Sequence, residues 1–141
     1  MNRSTLLSNL EGSIHTIVKG IREKQLSTSK YSLAQNHVIV VIGKEGDIGI
    51  KQLAQCLKVT SGAATQHVDA LEKAGILSRQ LNSDDRREVI VGLTDKGKKT
   101  FLKINQDKAR ILRELFNGLS DTELQILVSL FEKVSRKYIK E

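Results

Sequence analysis

The chain has no proline and no tryptophan, one cysteine, three phenylalanines and two tyrosines in 141 residues. Without proline, the ten glycines must supply the punctuation that ends helices and makes turns. A single cysteine, Cys56, excludes an intrachain disulfide framework and fits a reducing cytoplasm. With Leu53 and Leu57 as neighbours, it is expected to be semi-buried and inert. So few aromatics leave the core to Leu, Ile and Val. The longest wholly apolar run is Val38 to Ile42, far too short to span a bilayer, so no membrane partner is expected. The opening MNRSTLLSNLEGS does not read as a secretory leader, and a cytoplasmic protein is expected. There is no phosphate loop, no glycine-rich dinucleotide motif and no GxSxG, hence no expected enzyme activity or cofactor. His15, His37 and His67 lie far apart, with no paired cysteines, and no metal is expected.

What remains is a basic chain, +7 overall. Such a balance raises the expectation of a polyanionic partner only modestly. Residues 47–99 carry a net charge of just +2 and residues 1–30 one of +3. Any DNA is therefore held by a few placed cations and helix ends rather than by a dense basic patch.

Apolar periodicity organises the chain. Leu6, Leu7, Leu10, Ile14, Ile17, Val18 and Ile21 mark a first helix of about five turns. Ser32 and Gln35 stand in capping-box spacing before a second, which contains the β-branched run. That run could equally be a buried strand; the cap and the stops at Gly43 and Gly46 favour helix. Ile50, Leu53, Ala54 and Leu57 predict a short third helix. Lys58-Val59 makes the turn, with Val59 expected to plug between two helices. Thr60 or Ser61 caps a fourth helix whose Ala64, Val68 and Leu71 face the core, with Asp69 and Lys73 paired on its outer side. Gly75 fits a left-handed position after it. Leu77 to Asn82 and Glu88 to Leu93 read as strands joined by a tip, Ser83-Asp84-Asp85-Arg86-Arg87, of hairpin length. Thr94 caps a long fifth helix, its seam of Phe101, Ile104, Ile111, Leu112, Leu115 and Phe116 broken near Lys108. Ser120 and Glu123 form a capping box for the last helix, lined by Leu124, Leu127, Val128, Phe131, Val134 and Tyr138.

Two short helices across a tight turn, then an arginine-tipped hairpin, are the sequence form of a winged helix-turn-helix. The expected class is mainly α with a small β-hairpin wing, flanked by N- and C-terminal dimerisation helices. The expected parts are 1–30 and 94–141 for dimerisation and 31–93 for DNA binding. Apolar stripes as long as those of the terminal helices need cover, which a second chain can supply. Leu10, Ile14, Ile17, Leu112, Leu115, Leu127 and Phe131 are the candidate dimer contacts.

Ser61, Thr65 and Gln66 lie on the side of the fourth helix away from its core face, where Gln can bond adenine and Thr can meet thymine. Arg87 at the tip suits a narrow minor groove, where negative potential is focused. Arg86 is a phosphate contact or a structural partner, and Asp85 orients the wing by pairing with an arginine.

These segments carry a family resemblance. IGIKQLAQCLKVTSGAATQHVDALEKAGIL and DDRREVIVGLTDKG resemble the MarR family of transcriptional regulators, and the likeness runs essentially the whole length. The more specific signal is Asp85, Arg86 and Arg87, then Val89, Val91 and Leu93, then Thr94 and Gly97. The resemblance implies a homodimeric repressor on double-stranded DNA with a pseudo-palindromic operator. It also implies release by a small, often anionic, aromatic effector in a cleft between domains. His15, Tyr31 and His37 are candidates for that cleft, with Arg22, Lys24 and Lys30 nearby to favour an anion. Lys58 stands where the family usually has glycine. Two other readings share the fold: a constitutive architectural DNA binder, and a protein-interaction module that has lost DNA binding.

Overall fold

The computed structural model describes residues 1–81, 84 and 88–139. They fall into two compact units, residues 1–108 and 109–141.

In the first unit, α1 (Arg3–Thr28) starts at Asn2, whose side-chain oxygen accepts the Thr5 N–H at 2.9 Å. At 26 residues it runs past the five turns expected, and none of its residues is buried. The helix α2 (Leu33–Glu45) carries the expected capping box, with Ser32 and Gln35 bonded reciprocally at 3.1 Å. The β-branched run inside it is helical. Val38, Ile39, Val40 and Ile42 are all buried, so tertiary burial outweighs local strand preference. Gly46 stops the helix with φ 81°, its N–H bonded to the Ile42 carbonyl.

The sequence reading missed a strand. Ile48–Gly49 forms β1, which pairs antiparallel with β3 (Val89–Leu93), placing Ile48 opposite Val91. The other hairpin strand is β2 (Leu77–Leu81), with Leu77 opposite Leu93 and Leu81 opposite Val89. The result is a three-stranded sheet, ordered β1-β3-β2, rather than a bare hairpin. A two-residue strand leaves no alternation to detect in sequence. The second hairpin strand begins one residue inside the expected limit, at Val89; Asn82 lies outside the described residues.

Between β1 and β2 come α3 (Ile50–Leu57) and α4 (Ser61–Lys73). Leu53, Ala54, Ala64, Val68 and Leu71 are buried with Ile76, Leu77 and Val91, and Ile104 joins them from further along the chain. Val59 is no plug: 41% of it is exposed. The turn is closed instead by backbone, with Val59 N–H on the Ala54 carbonyl at 3.0 Å. Cys56 is likewise exposed rather than semi-buried. Asp69 does not take Lys73 as partner; it pairs with Arg79 of β2.

The long helix α5 (Asp95–Leu115) begins in the first unit, and Thr94 caps it as expected, accepting the Gly97 N–H at 3.0 Å. In the second unit, α6 (Asp121–Ser135) has the expected Ser120/Glu123 capping box and no buried residue. A short 3-10 turn, Arg136–Tyr138, follows it.

Candidate nucleic-acid interface and adjoining cleft

The reading head is built on the turn between α3 and α4. Lys58 ends α3 in the left-handed region, φ 55° and ψ 45°, the one described non-glycine residue with positive φ. Glycine would sit there without strain; a lysine costs roughly 1 kcal/mol. That conformation turns the chain sharply enough for Thr60 to cap α4, its hydroxyl accepting the Ala63 N–H at 3.1 Å. Thr60, not Ser61, is thus the cap, and Ser61 becomes the first helical residue, exposed at a helix start with no acidic side chain in its first turn. No acidic side chain of the helix's own first turn opposes the positive end of its dipole, an arrangement that suits phosphate.

Thr65 is half-buried, and its hydroxyl donates to the Ser61 carbonyl at 2.8 Å. The hydroxyl proton is therefore committed, leaving a methyl group and lone pairs to offer a base. Gln66 is fully on the outside, one position further round. Gly62 leaves its neighbourhood open: a Cβ there would meet nothing nearer than the Thr60 hydroxyl at 4.0 Å. Ser61, Thr65 and Gln66 thus share one helix: Gln66 lies opposite the buried Ala64, Val68 and Leu71, while Ser61 and Thr65 flank that buried face. Asp85, Arg86 and Arg87 lie outside the described residues.

A second feature of the first unit is a cleft of about 470 Å³, within the range of small-molecule sites. The end of α1, the start of α2 and the first half of α5 form it. Tyr31, Leu33, Val40 and Ile104 supply apolar wall; Arg22, Lys30, Lys96, Lys103 and Lys108 bring five cations against one acid, Asp107. The link between α1 and α2 is knotted at its edge. Asn36 donates to the Ser29 hydroxyl at 2.9 Å, and the same oxygen accepts the Tyr31 N–H at 3.1 Å. Partial burial, then the nearby Lys44 charge, lower the Lys108 amine below its ordinary pKa, because both disfavour the ammonium.

Tyr31, His37, Arg22 and Lys30 all line this cleft. His15 is exposed on α1 and is not among the lining residues, nor is Lys24. The sequence reading missed Lys96, Lys103 and Lys108. The signal for Lys108 was present, since the break it makes in the apolar seam of α5 is where the helix wall turns cationic.

Leu10, Ile14, Leu112 and Phe131 are exposed, while Ile17, Leu115 and Leu127 are half-buried. Among the described residues no helix is long and apolar enough to cross a membrane, and no cluster of His, Cys, Asp and Glu is placed to hold a metal ion.

Comparison with known proteins matches the family model described as "MarR family" to residues 31–89, which take in the helix-turn-helix and β2. The helix-turn-helix-type transcriptional regulator YkoM of Bacillus subtilis is 30% identical over 118 residues, 82% of this chain and 77% of YkoM. The chain belongs to the MarR family. The transcriptional repressor MdtR of Bacillus subtilis is 25% identical over 122 residues, 84% of this chain and 79% of MdtR. A mutant MarR of Escherichia coli, solved in complex with operator DNA, is 27% identical with a TM-score of 0.69, over 95% of this chain and 99% of that one. As a MarR-family protein, this chain is a DNA-binding transcriptional regulator.

The family signature also acquires a physical reason. A Cβ at Gly97 would press on the Ile76 carbonyl oxygen far inside the 3.0 Å that real Cβ atoms keep. Only glycine lets α5 start so close to the turn that leaves α4.

Proposed function

We propose that the chain is a homodimeric, sequence-specific repressor whose grip on a pseudo-palindromic operator is loosened by a small anionic aromatic compound. The observation that carries this reading is the cleft. Its five cations and apolar wall suit an aromatic acid, and it is made from the same elements that carry the reading head: α2 packs under α3 and α4, and α5 is rooted on the turn after α4.

Dimerisation is supported by what is uncovered. Neither α1 nor α6 buries a residue, yet Leu6, Leu7, Leu10, Ile14 and Val18 on one, and Leu124, Val128, Phe131 and Val134 on the other, are exposed. Apolar faces of that extent call for a partner. In this reading residues 1–30 and 94–141 serve dimerisation and 31–93 serve DNA. Ser61, Thr65 and Gln66 read the major groove, Arg86 and Arg87 serve the wing, and Asp85 orients them.

Two recognition helices bind one operator only when spaced about one helical turn apart, ~34 Å. A ligand that prefers another spacing lowers DNA affinity by the difference in its own affinity for the two arrangements. Repression follows from occupying a promoter, and relief from leaving it. The test is titration of promoter DNA and random DNA at one stated salt concentration, with and without salicylate at constant ionic strength. Tighter promoter binding that salicylate weakens supports the proposal. Equal affinity for both DNAs points to an architectural binder, and no binding to either points to an interaction module. Curves unmoved by a panel of aromatic acids remove the effector.

A further inference from the structure

Arg79 stands on β2 opposite Val91, two residues into the hairpin. Its guanidinium crosses to α4, where it pairs with Asp69 through Nη2 and approaches Glu72 through Nη1 at 3.7 Å. Asp69 and Glu72 are on the outer side of the recognition helix, with half and about two-fifths of their side chains exposed. The Arg79 side chain is less exposed than either, and its Nε is buried with no hydrogen-bond partner among the described residues. A buried, unpaired donor is unfavourable by itself. The side chain stays there because the rest of the guanidinium is held on two carboxylates of another element, a geometry that arginine's rigid fork suits and lysine's point charge does not.

Between α4 and β2 the backbone link is the short turn through Ala74 and Gly75, with Gly75 at φ 76°. That turn, the pairing of β1 with β3 and the buried Leu77 and Val91 hold the base of the hairpin. Arg79 adds a direct tie between β2 and the outer side of the recognition helix, one that bears on the angle between them. The leverage is large. The five residue steps from Arg79 to Asp84 reach at most roughly 16 Å, so a 10° swing about the clamp displaces the far end by roughly 3 Å, enough to make or lose a hydrogen bond.

We propose that Arg79 is a specificity-determining positioning residue: by clamping Asp69 and Glu72 it sets the angle between wing and recognition helix, without itself touching DNA. This rests on the reading that the chain selects a DNA sequence. The acids then have a use that charge alone would deny them. Two carboxylates beside a polyanion repel it, and deleting them should tighten binding if repulsion were all they contributed. As anchors for Arg79, they favour the correct sequence despite that repulsion.

The experiment measures affinity of the full-length protein for the best sequence it selects from a random oligonucleotide pool, and for scrambled DNA, across a salt series. The variants are Arg79→Met, Arg79→Lys, the double change Asp69→Asn with Glu72→Gln, and all three neutralising changes together. Failure of the wild-type protein to select any sequence would overturn the reading beneath the proposal and not the clamp. With selection established, Arg79→Met should weaken selected-site binding at least about tenfold and scrambled-site binding under about threefold. The salt slope should stay as in wild type, whereas loss of a phosphate contact would reduce it by about one. Arg79→Lys should fall between wild type and Arg79→Met. The acid double variant should also lose selectivity, and the triple variant should be no worse than either parent, because all three break one clamp. Tighter binding to both DNAs by the acid variant, with selectivity intact, would overturn the proposal. A salt slope lowered by about one in Arg79→Met would do so too, by making Arg79 a phosphate contact. Should Arg79→Met fail to fold, the acid variant decides alone, since both its changes are on exposed side chains.

Discussion

Replacing Gly97 with alanine should destabilise this protein, although the same change in most helices does the opposite. Gly97 is in the first turn of α5, beside the Ala74–Ile76 turn. An added Cβ would overlap the Ile76 carbonyl oxygen and meet the Ile76 carbonyl carbon and Leu93 Cδ2 at 3.2 Å each. The first obstacle is backbone and cannot rotate aside. The start of α5 must back away, and three bonds hold it in place. The Thr94 N–H donates to the Ile76 carbonyl at 3.0 Å, the Thr94 hydroxyl to the Gly75 carbonyl at 2.5 Å, and the Lys96 ammonium to the Ala74 carbonyl at 2.8 Å. Losing two of them costs about 1–3 kcal/mol. Overpacking strain adds roughly 1–3 kcal/mol, and the better helix propensity of alanine offsets about 1 kcal/mol.

The net expectation is a loss of about 1–5 kcal/mol, which for a chain of this size lowers Tm by roughly 3–15 °C. Gly12→Ala is the matched control. Gly12 lies mid-helix on α1, opposite the apolar stripe, with nothing within 4 Å of a Cβ built there. It should gain about 0.5–1 kcal/mol. Urea and thermal unfolding of both variants and wild type, at one protein concentration so that any association is held constant, gives the comparison. Equal shifts of the same sign would refute the argument, because they would show that propensity alone governs both sites.

Lys58→Gly should raise stability by about 0.5–1 kcal/mol in the same unfolding assay, relieving the left-handed lysine at the end of α3; a loss would mean the side chain contributes more than its backbone strain costs. Arg87→Ala should weaken operator binding at least about tenfold without dissociating the dimer, and Gln66→Ala should shift base preference by roughly 1–3 kcal/mol at one position; unchanged gel-shift affinity and identical selected sequences would contradict these. Charged residues in place of both Leu127 and Phe131 should give monomers or insoluble protein in sedimentation at micromolar concentration, and an intact dimer would place the interface elsewhere. An aromatic acid in the cleft favours the protonated Lys108 amine, so its affinity should fall as pH rises through Lys108's lowered pKa; Lys108→Met should flatten that profile, and an unchanged profile would move the anion contact to another residue.

How much of this was legible in the sequence depends on the range of the interactions. Caps act over three residues, so Ser32 with Gln35 and Ser120 with Glu123 could be read directly, and both capping boxes are present. Apolar periods place whole helices, and Ala64, Val68 and Leu71 face the core as their spacing demands. Two-residue β1 has no period to read; only its pairing with β3 makes it a strand. Val59 and Cys56 were expected inside because of their types and neighbours, yet a residue beside a left-handed turn is directed by the backbone at Lys58, which hydrophobicity does not report.

Charged partners show the limit most clearly. The i,i+4 rule gave Asp69 to Lys73, an exposed helix pair worth only a few tenths of a kcal/mol. Arg79, ten residues away in sequence, takes Asp69 instead because the sheet brings a rigid guanidinium across to the helix. The same holds for the cleft. Arg22 and Lys30 could be guessed from their place at the end of α1, but Lys96, Lys103 and Lys108 join them only once α5 lies beside the start of α2. Sequence spacing thus gave the elements and the candidate base-reading face. The two features that would make those elements regulate, a clamped wing angle and a cationic cleft, are made by residues distant in sequence, and only the fold brings them together.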